Sequence, residues 1–203
     1  MADASEVKCV NRALVLLGTA QRISALTDGS PLAAAAQDIF TDCRDEVLAE
    51  HPWNPALRRA VPALTSSTVT LGEWKYAYEL PADCLRWLPW AAGHSLAFAG
   101  IREGRYLLTD EAKAPTIRYI ATLDDLAQWT PGMREALSAK LAIWLATAAP
   151  VQSEVSSSKA AKIYDAALSA ARRQDGLETG DRESDARVRS SWLNARDISS
   201  GLV

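Results

Sequence analysis

The stretch Leu32 to Asn54, LAAAAQDIFTDCRDEVLAEHPWN, decides the plan of the 203-residue chain. Apolar side chains at Leu32, Ala36, Ile39, Phe40, Cys43, Val47 and Leu48 recur at three- and four-residue steps. That spacing puts them on one face of a helix. Asp38, Asp42, Arg44, Asp45 and Glu50 occupy the other face. The helix is predicted to stop abruptly at His51-Pro52-Trp53-Asn54, because Pro52 has no N–H to donate and pushes His51 out of helical geometry. Helical periodicity dominates before this break. Strand-like alternation follows it, and helices return after Pro131.

Upstream, Asp3 or Ser5 can cap a first helix running to about Leu17, with Val7, Val10, Leu14 and Leu17 as its buried stripe and Gly18 as its stop. Residues 19–30 form a polar connector with Asp28-Gly29 as a turn signal. Ile23 and Leu26 predict that it packs down on the body. The run Ala13 to Leu17 is too short for a signal peptide and fits an amphipathic helix. The apolar run near Leu141 to Ala149 is too short to span a bilayer, so no membrane role is expected.

Downstream, Trp74 to Leu80 alternates bulky and polar residues as a half-buried strand does. Cys84 to Trp90, Ser95 to Phe98, Arg105 to Thr109 and Thr116 to Ala121 read as further strands, with Glu103-Gly104 as a hairpin turn. Thr130 and Pro131 open a third helix with Met133, Leu137, Leu141, Trp144, Leu145 and Ala148 as its apolar face, ended by Pro150. A fourth helix is expected from about Ser153 to Arg173, with Val155, Ile163, Tyr164, Ala167, Leu168 and Ala171 facing inward. The fold class is therefore α+β: a four-helix body (residues 1–60 and 131–173) with an inserted small antiparallel β module (61–130). Residues 174–203 lose periodicity and read as an extended C-terminal tail. Arg189 and Arg196 lie there among acids, and Trp192-Leu193 sits in its middle. Burying that indole against a partner could contribute roughly 2–3 kcal/mol.

Composition narrows the function. A formal charge of −3 argues against binding nucleic acid by blanket phosphate neutralisation. Cys9, Cys43 and Cys84 are far apart, which supports neither a disulfide framework nor a zinc site and fits a reducing compartment. His51 and His94 are the only histidines, so a histidine-rich metal site is ruled out. A structural role suits His51 at a helix end, and His94 lies in a Gly-Ser loop expected to be exposed. Asp45 and Glu46 diverge by about 100° on a helix, so pairing with an arginine such as Arg58 is their expected use. Asp124-Asp125 reads as a turn or helix-start acid pair. No phosphate loop, dinucleotide fingerprint or nucleophile elbow is present, so neither a catalytic residue nor a cofactor is assigned. The seven tryptophans are expected mainly to pack.

Several stretches together resemble a known family. They are Asn11-Arg12-Ala13-Leu14 with Leu17-Gly18, the Ile23 to Ser30 connector, and Arg44-Asp45-Glu46-Val47-Leu48 running to His51-Pro52-Trp53-Asn54. Trp74 to Tyr78, Leu80 to Arg86 and Trp192-Leu193-Asn194-Ala195-Arg196 complete the set. In order and spacing they resemble the head-to-tail adaptor (connector) family of tailed bacteriophages, whose short-tailed members include tail tubular protein A. Residues 87 to 131 take no part in the likeness.

The resemblance implies a virion structural protein and not an enzyme. It implies a four-helix body with an inserted β domain, assembled as a ring of about twelve copies beneath the portal protein. A tail nozzle or other tail component would dock below, and DNA would pass through the channel without sequence-specific binding. The C-terminal tail of relatives reaches the portal, which makes Arg189, Trp192, Leu193 and Arg196 the expected portal-binding residues. Cutting the chain near Gln174 is then expected to spare the body. Some relatives have been assigned a peptidoglycan-degrading activity. The alternatives are a cell-wall glycan hydrolase using Glu46 or Asp83, and a carbohydrate-binding module using Trp74, Trp87 or Trp90.

Overall fold

In the computed structural model, which describes residues 4–65, 74–148 and 155–178, helix α1 spans Ala4–Leu16. It buries Cys9, Val10, Ala13 and Leu14 and ends at Gly18, whose φ of 74° is left-handed. The Gly18 N–H reaches the Val15 carbonyl at 3.0 Å and the Thr19 N–H reaches that of Leu14 at 3.2 Å. These are the paired bonds of a Schellman stop. The connector is pinned to α1 by Asn11, whose amide donates to the Ile23 carbonyl and accepts from the Ile23 N–H, both at 2.9 Å.

Helix α2 spans Pro31–Glu50. Ser30 caps it, its hydroxyl accepting from the Ala33 N–H at 3.1 Å. His51 follows in extended backbone, as the proline after it requires. Leu32, Ala33, Ala36, Phe40, Cys43, Val47 and Leu48 are buried and Ile39 is partly buried, so the predicted apolar face is the observed one.

Helix α3 (Pro131–Leu145) is capped by Thr130, whose hydroxyl accepts from the Met133 N–H at 3.3 Å. It packs against α1, α2 and the last helix, α4 (Ser157–Glu178). A helix with three helical neighbours is buried around most of its girth, which is why Ala136, Ser138, Ala139 and Ala142 are covered beside the predicted Met133, Leu137, Leu141 and Leu145. Trp144, expected in that face, is instead 52 % exposed in the last turn. Pro150, the expected stop, lies outside the described residues.

Between α2 and α3 lie two antiparallel sheets. After a 3-10 turn at Asn54–Ala56 come β1 (Leu57–Ala60), β2 (Ala63–Leu64), β3 (Tyr76–Glu79) and β4 (Cys84–Leu88). Then follow β5 (Gly100–Glu103), β6 (Tyr106–Thr109) and β7 (Ile117–Ala121). One sheet has the order β1-β7-β4 and the other β2-β3-β6-β5. The fold is thus α+β, with four helices among the described residues and small antiparallel sheets inserted between the second and third.

The three-stranded sheet is the middle layer. Strand alternation sends Ile120 of β7, with Leu57 and Leu88 of its neighbours, into the helical core. Ile117, Tyr119 and Ala121 point the other way, against Tyr78, Leu80 and Leu107 of the second sheet. One expectation fails here, and the hairpin read at Glu103-Gly104 forms one residue later. Ser95 to Phe98 is not a strand, because its backbone closes local turns: the Ala97 N–H bonds the His94 carbonyl at 2.9 Å. The partner of β6 is β5, joined to it through a Gly104-Arg105 turn. Of those two turn residues only Gly104 has positive φ, at 58°, as a II′ hairpin turn requires. No helix among the described residues is long and apolar enough to cross a membrane.

Candidate functional site

The best-defined polar constellation lies where α4 meets the end of α2. Pro52 and Asn54 follow His51 out of the helix, and Trp53 turns back into the core with no exposed surface. Its indole N–H donates to the Val47 carbonyl at 2.8 Å, which satisfies the one polar atom of the buried ring. His51 packs edge-on against it, ring centroids 4.6 Å apart.

Asp175 of α4 reaches into this corner and is only 3 % exposed. One carboxylate oxygen lies 3.0 Å from His51 Nε2, and the other accepts from the Asn54 N–H at 3.0 Å. The Asn54 side-chain amide donates to the Asp175 carbonyl at 2.9 Å. Earlier on α4, the Tyr164 hydroxyl donates to Glu50 Oε2 at 2.8 Å, and Arg172 pairs with Glu50 Oε1 at 3.6 Å. Burial first, then the hydrogen bond and charge of Glu50, push the Tyr164 phenol well above its usual range. The end of α4 is therefore clamped to the end of α2, and the chain beyond Glu178 starts from that clamp.

Asp175 was missed in the sequence, where it stands in a charged stretch assigned to the tail. The helical stripe Tyr164, Leu168, Ala171 continues to position 175, and α4 accordingly runs through Glu178. The expected portal-binding residues Arg189, Trp192, Leu193 and Arg196 lie outside the described residues.

Of the two acids expected to meet an arginine, Asp45 does so through Arg44, whereas Glu46 takes a lysine. Glu46 pairs with Lys140 of α3 at 2.6 Å, and Lys140 also lies over the Tyr164 ring at 5.1 Å. Arg44 pairs with Asp45 at 2.8 Å and with Asp124 at 2.6 Å. Arg58 takes neither acid. Its guanidinium donates to the Pro55 and Leu57 carbonyls, because strand β1 carries it away from α2. Asp125 caps the 3-10 turn Leu126–Gln128 through the Ala127 N–H at 2.9 Å, a turn role as expected.

The glycan-hydrolase acids are not brought together among the described residues: Glu46 faces α3, whereas Asp83 accepts from the Tyr119 hydroxyl at 3.2 Å in the β3–β4 turn. Trp87 packs beside Phe98 between the sheets, centroids 6.1 Å apart. Trp90 stacks on His94 at 4.3 Å, and Trp74 is half-buried. His94 is exposed. Among the described residues no group of three His, Cys, Asp or Glu side chains could hold a metal ion.

A cleft of about 350 Å³ separates α1 from α3, lined by Lys8, Cys9, Arg12, Arg134, Glu135 and Ser138. Arg12 and Glu135 close one side at 2.9 Å, both well exposed, so that pair contributes at most about 1 kcal/mol.

Comparison of the sequence with family models gives no match, and comparison with curated proteins gives none either.

Proposed function

We propose that the chain is a head-to-tail adaptor of a tailed phage, a virion protein that forms a ring on the portal and offers a docking surface to the tail. The observation that carries this reading is the clamp of α4 on the His51-Pro52-Trp53-Asn54 corner. That corner is the most compact of the motifs in which the sequence resembles the family. Its chemistry is architectural: the Asp175 carboxylate and carbonyl, bonded to His51 and Asn54, tie α4 to the helical body. The order of elements, two helices, a β insertion and two helices, also agrees with the architecture the resemblance implies.

A closed ring uses heterologous contacts, so each copy needs two different complementary faces. The exposed edge of α1 carries Lys8 and Arg12, and that of α2 carries Asp38 and Asp42. These faces are suited to meet between neighbouring copies. The tail is the portal-binding element in this reading, and the DNA passes through the ring without base recognition.

The test compares the full chain with a chain ending at Glu178 in a pull-down on the portal ring of the same genome. The shorter chain is expected to keep its fold and lose the portal. Undiminished binding by it would refute the role given to Arg189, Trp192, Leu193 and Arg196.

A further inference from the structure

Two helix edges carry charges that the folded chain leaves unmatched. Lys8 and Arg12 stand one turn apart on the exposed side of α1, and Asp38 and Asp42 stand one turn apart on that of α2. Four residues of helix rise about 6 Å, so each edge presents two like charges at the same spacing. Like charges at that spacing repel along a helix. Lys8, Asp38 and Asp42 make no hydrogen bond or ion pair among the described residues. Both helices pack on α3, and among the described residues no ion pair joins the two edges within one chain.

The α1 edge is also the rim of the cleft of about 350 Å³ between α1 and α3. Its walls set Lys8, Arg12 and Arg134 against the single carboxylate of Glu135. Arg12 bonds that carboxylate through Nε and Nη2, which leaves its Nη1 donors open to a second acceptor. Arg134 is held by the Leu126 and Trp129 carbonyls, which fix its place without cancelling its charge. The Cys9 thiol on the cleft wall is raised above its usual range by burial and adds no negative charge. Pro131 opens α3 beside these groups, where the positive end of the helix dipole adds to the field. The cleft is therefore a positive recess with room for carboxylate side chains. Asp38 and Asp42 match it in sign and in spacing, and a second copy can bring them to it. Such a contact uses two different faces of each copy and so repeats from copy to copy.

We propose that the α1–α3 cleft takes the Asp38/Asp42 edge of α2 from a second copy of this chain. Lys8 and the free Nη1 of Arg12 then meet the two aspartates at matched spacing. This contact rests on the adaptor reading for its place in a ring, but the pairing itself forms between copies with or without a portal.

The experiment mixes unlabelled and isotope-labelled full chain over a rising concentration series, alone and with the portal ring of the same genome. A carbodiimide then couples any ammonium to a carboxylate in contact with it, and mass spectrometry reads the joined peptides. A link from Lys8 to Asp38 or Asp42 is expected between a labelled and an unlabelled copy. Sedimentation velocity follows association in parallel. Lys8→Glu or Asp42→Lys alone should weaken it at least about tenfold, because each sets like charges face to face. An equal mixture of the two variants should regain it, since each supplies the charge the other lacks. Both positions are exposed, and unchanged thermal melting confirms that the variants fold. Links between copies through other residues, or association that neither substitution alters, would overturn the proposal. So would copies that stay apart at every concentration and on the portal, and so would a Lys8 amine shielded from labelling by the portal alone. A portal occupied by copies not joined at Lys8 sinks the cleft contact and spares the adaptor reading. Copies joined at Lys8 beside a bare portal do the reverse.

Discussion

His51 and Asp175, 124 positions apart, meet at 3.0 Å between a ring nitrogen and a carboxylate oxygen. Because Asp175 is buried, its loss leaves His51 and the Asn54 N–H without their partner. Asp175→Ala should cost about 2–4 kcal/mol, the range for breaking a buried hydrogen-bonded group. The same corner decides where the chain tolerates truncation. A chain ending at Glu178 should melt with the full protein, whereas one ending at Gln174 should melt roughly 6–12 °C lower. Thermal denaturation of the two truncations checks this, and equal melting temperatures would show the clamp to be dispensable.

Tyr164 makes the body sensitive to alkali. Its folded pKa is raised by burial and by Glu50, so its stabilising contribution is complete below the unfolded value of about 10. As pH rises above that value, the unfolded chain releases the proton while the folded one retains it, and stability falls. Tyr78 and Tyr119, raised first by burial, act in the same direction. Tyr164→Phe should lose about 1 kcal/mol at neutral pH and flatten the decline above pH ~10. Urea midpoints measured across pH 8 to 11 would reveal an unchanged slope if the residue were irrelevant.

Asp28 gives the acid counterpart in the connector. Hydrogen bonds from Ser30, side chain and backbone, and from the Ser24 N–H hold its carboxyl down at about 2. A depressed carboxylate stabilises above the ordinary value of about 4 and loses that contribution as pH falls toward 2. The protection factors of the Ser24 and Ser30 amides, which already allow for the slower intrinsic exchange in acid, should hold down to pH ~4 and then fall. Asp28→Asn should abolish the transition.

Thiol reactivity should rank by burial. Cys43 is 1 % exposed and its thiol is pushed up to about 12, chiefly by burial. Cys9 is also buried and shifted upward for the same reason, while Cys84 is half-buried with a smaller barrier to reagent access. Alkylation of the native protein followed by mass spectrometry should mark Cys84 first, with Cys9 and Cys43 reacting only on unfolding. Early labelling of Cys43 would contradict the packing of α2.

The sequence was most legible where local chemistry leaves no alternative. Pro52 ends α2 and Thr130-Pro131 opens α3 by backbone rules that act over a few residues. Strand β1, LRRA, was hidden because Leu57 faces the helices, Ala60 faces the second sheet and the arginines between them are exposed. Its neighbours, and not its own pattern, make it a strand. Arg44, Glu46 and Asp175 had charges that could be read, but their partners Asp124, Lys140 and His51 come from distant elements. Burial of a charge is a property of such pairings. Only the helical spacing from Tyr164 through Ala171 pointed to Asp175 in advance.

Native mass spectrometry of the full chain mixed with the portal ring of the same genome decides whether the proposed adaptor assembles on a portal. A complex with one copy of this chain for each portal subunit is expected, and its loss when the chain ends at Glu178. A portal that stays bare while the chain is shown to be folded would contradict it.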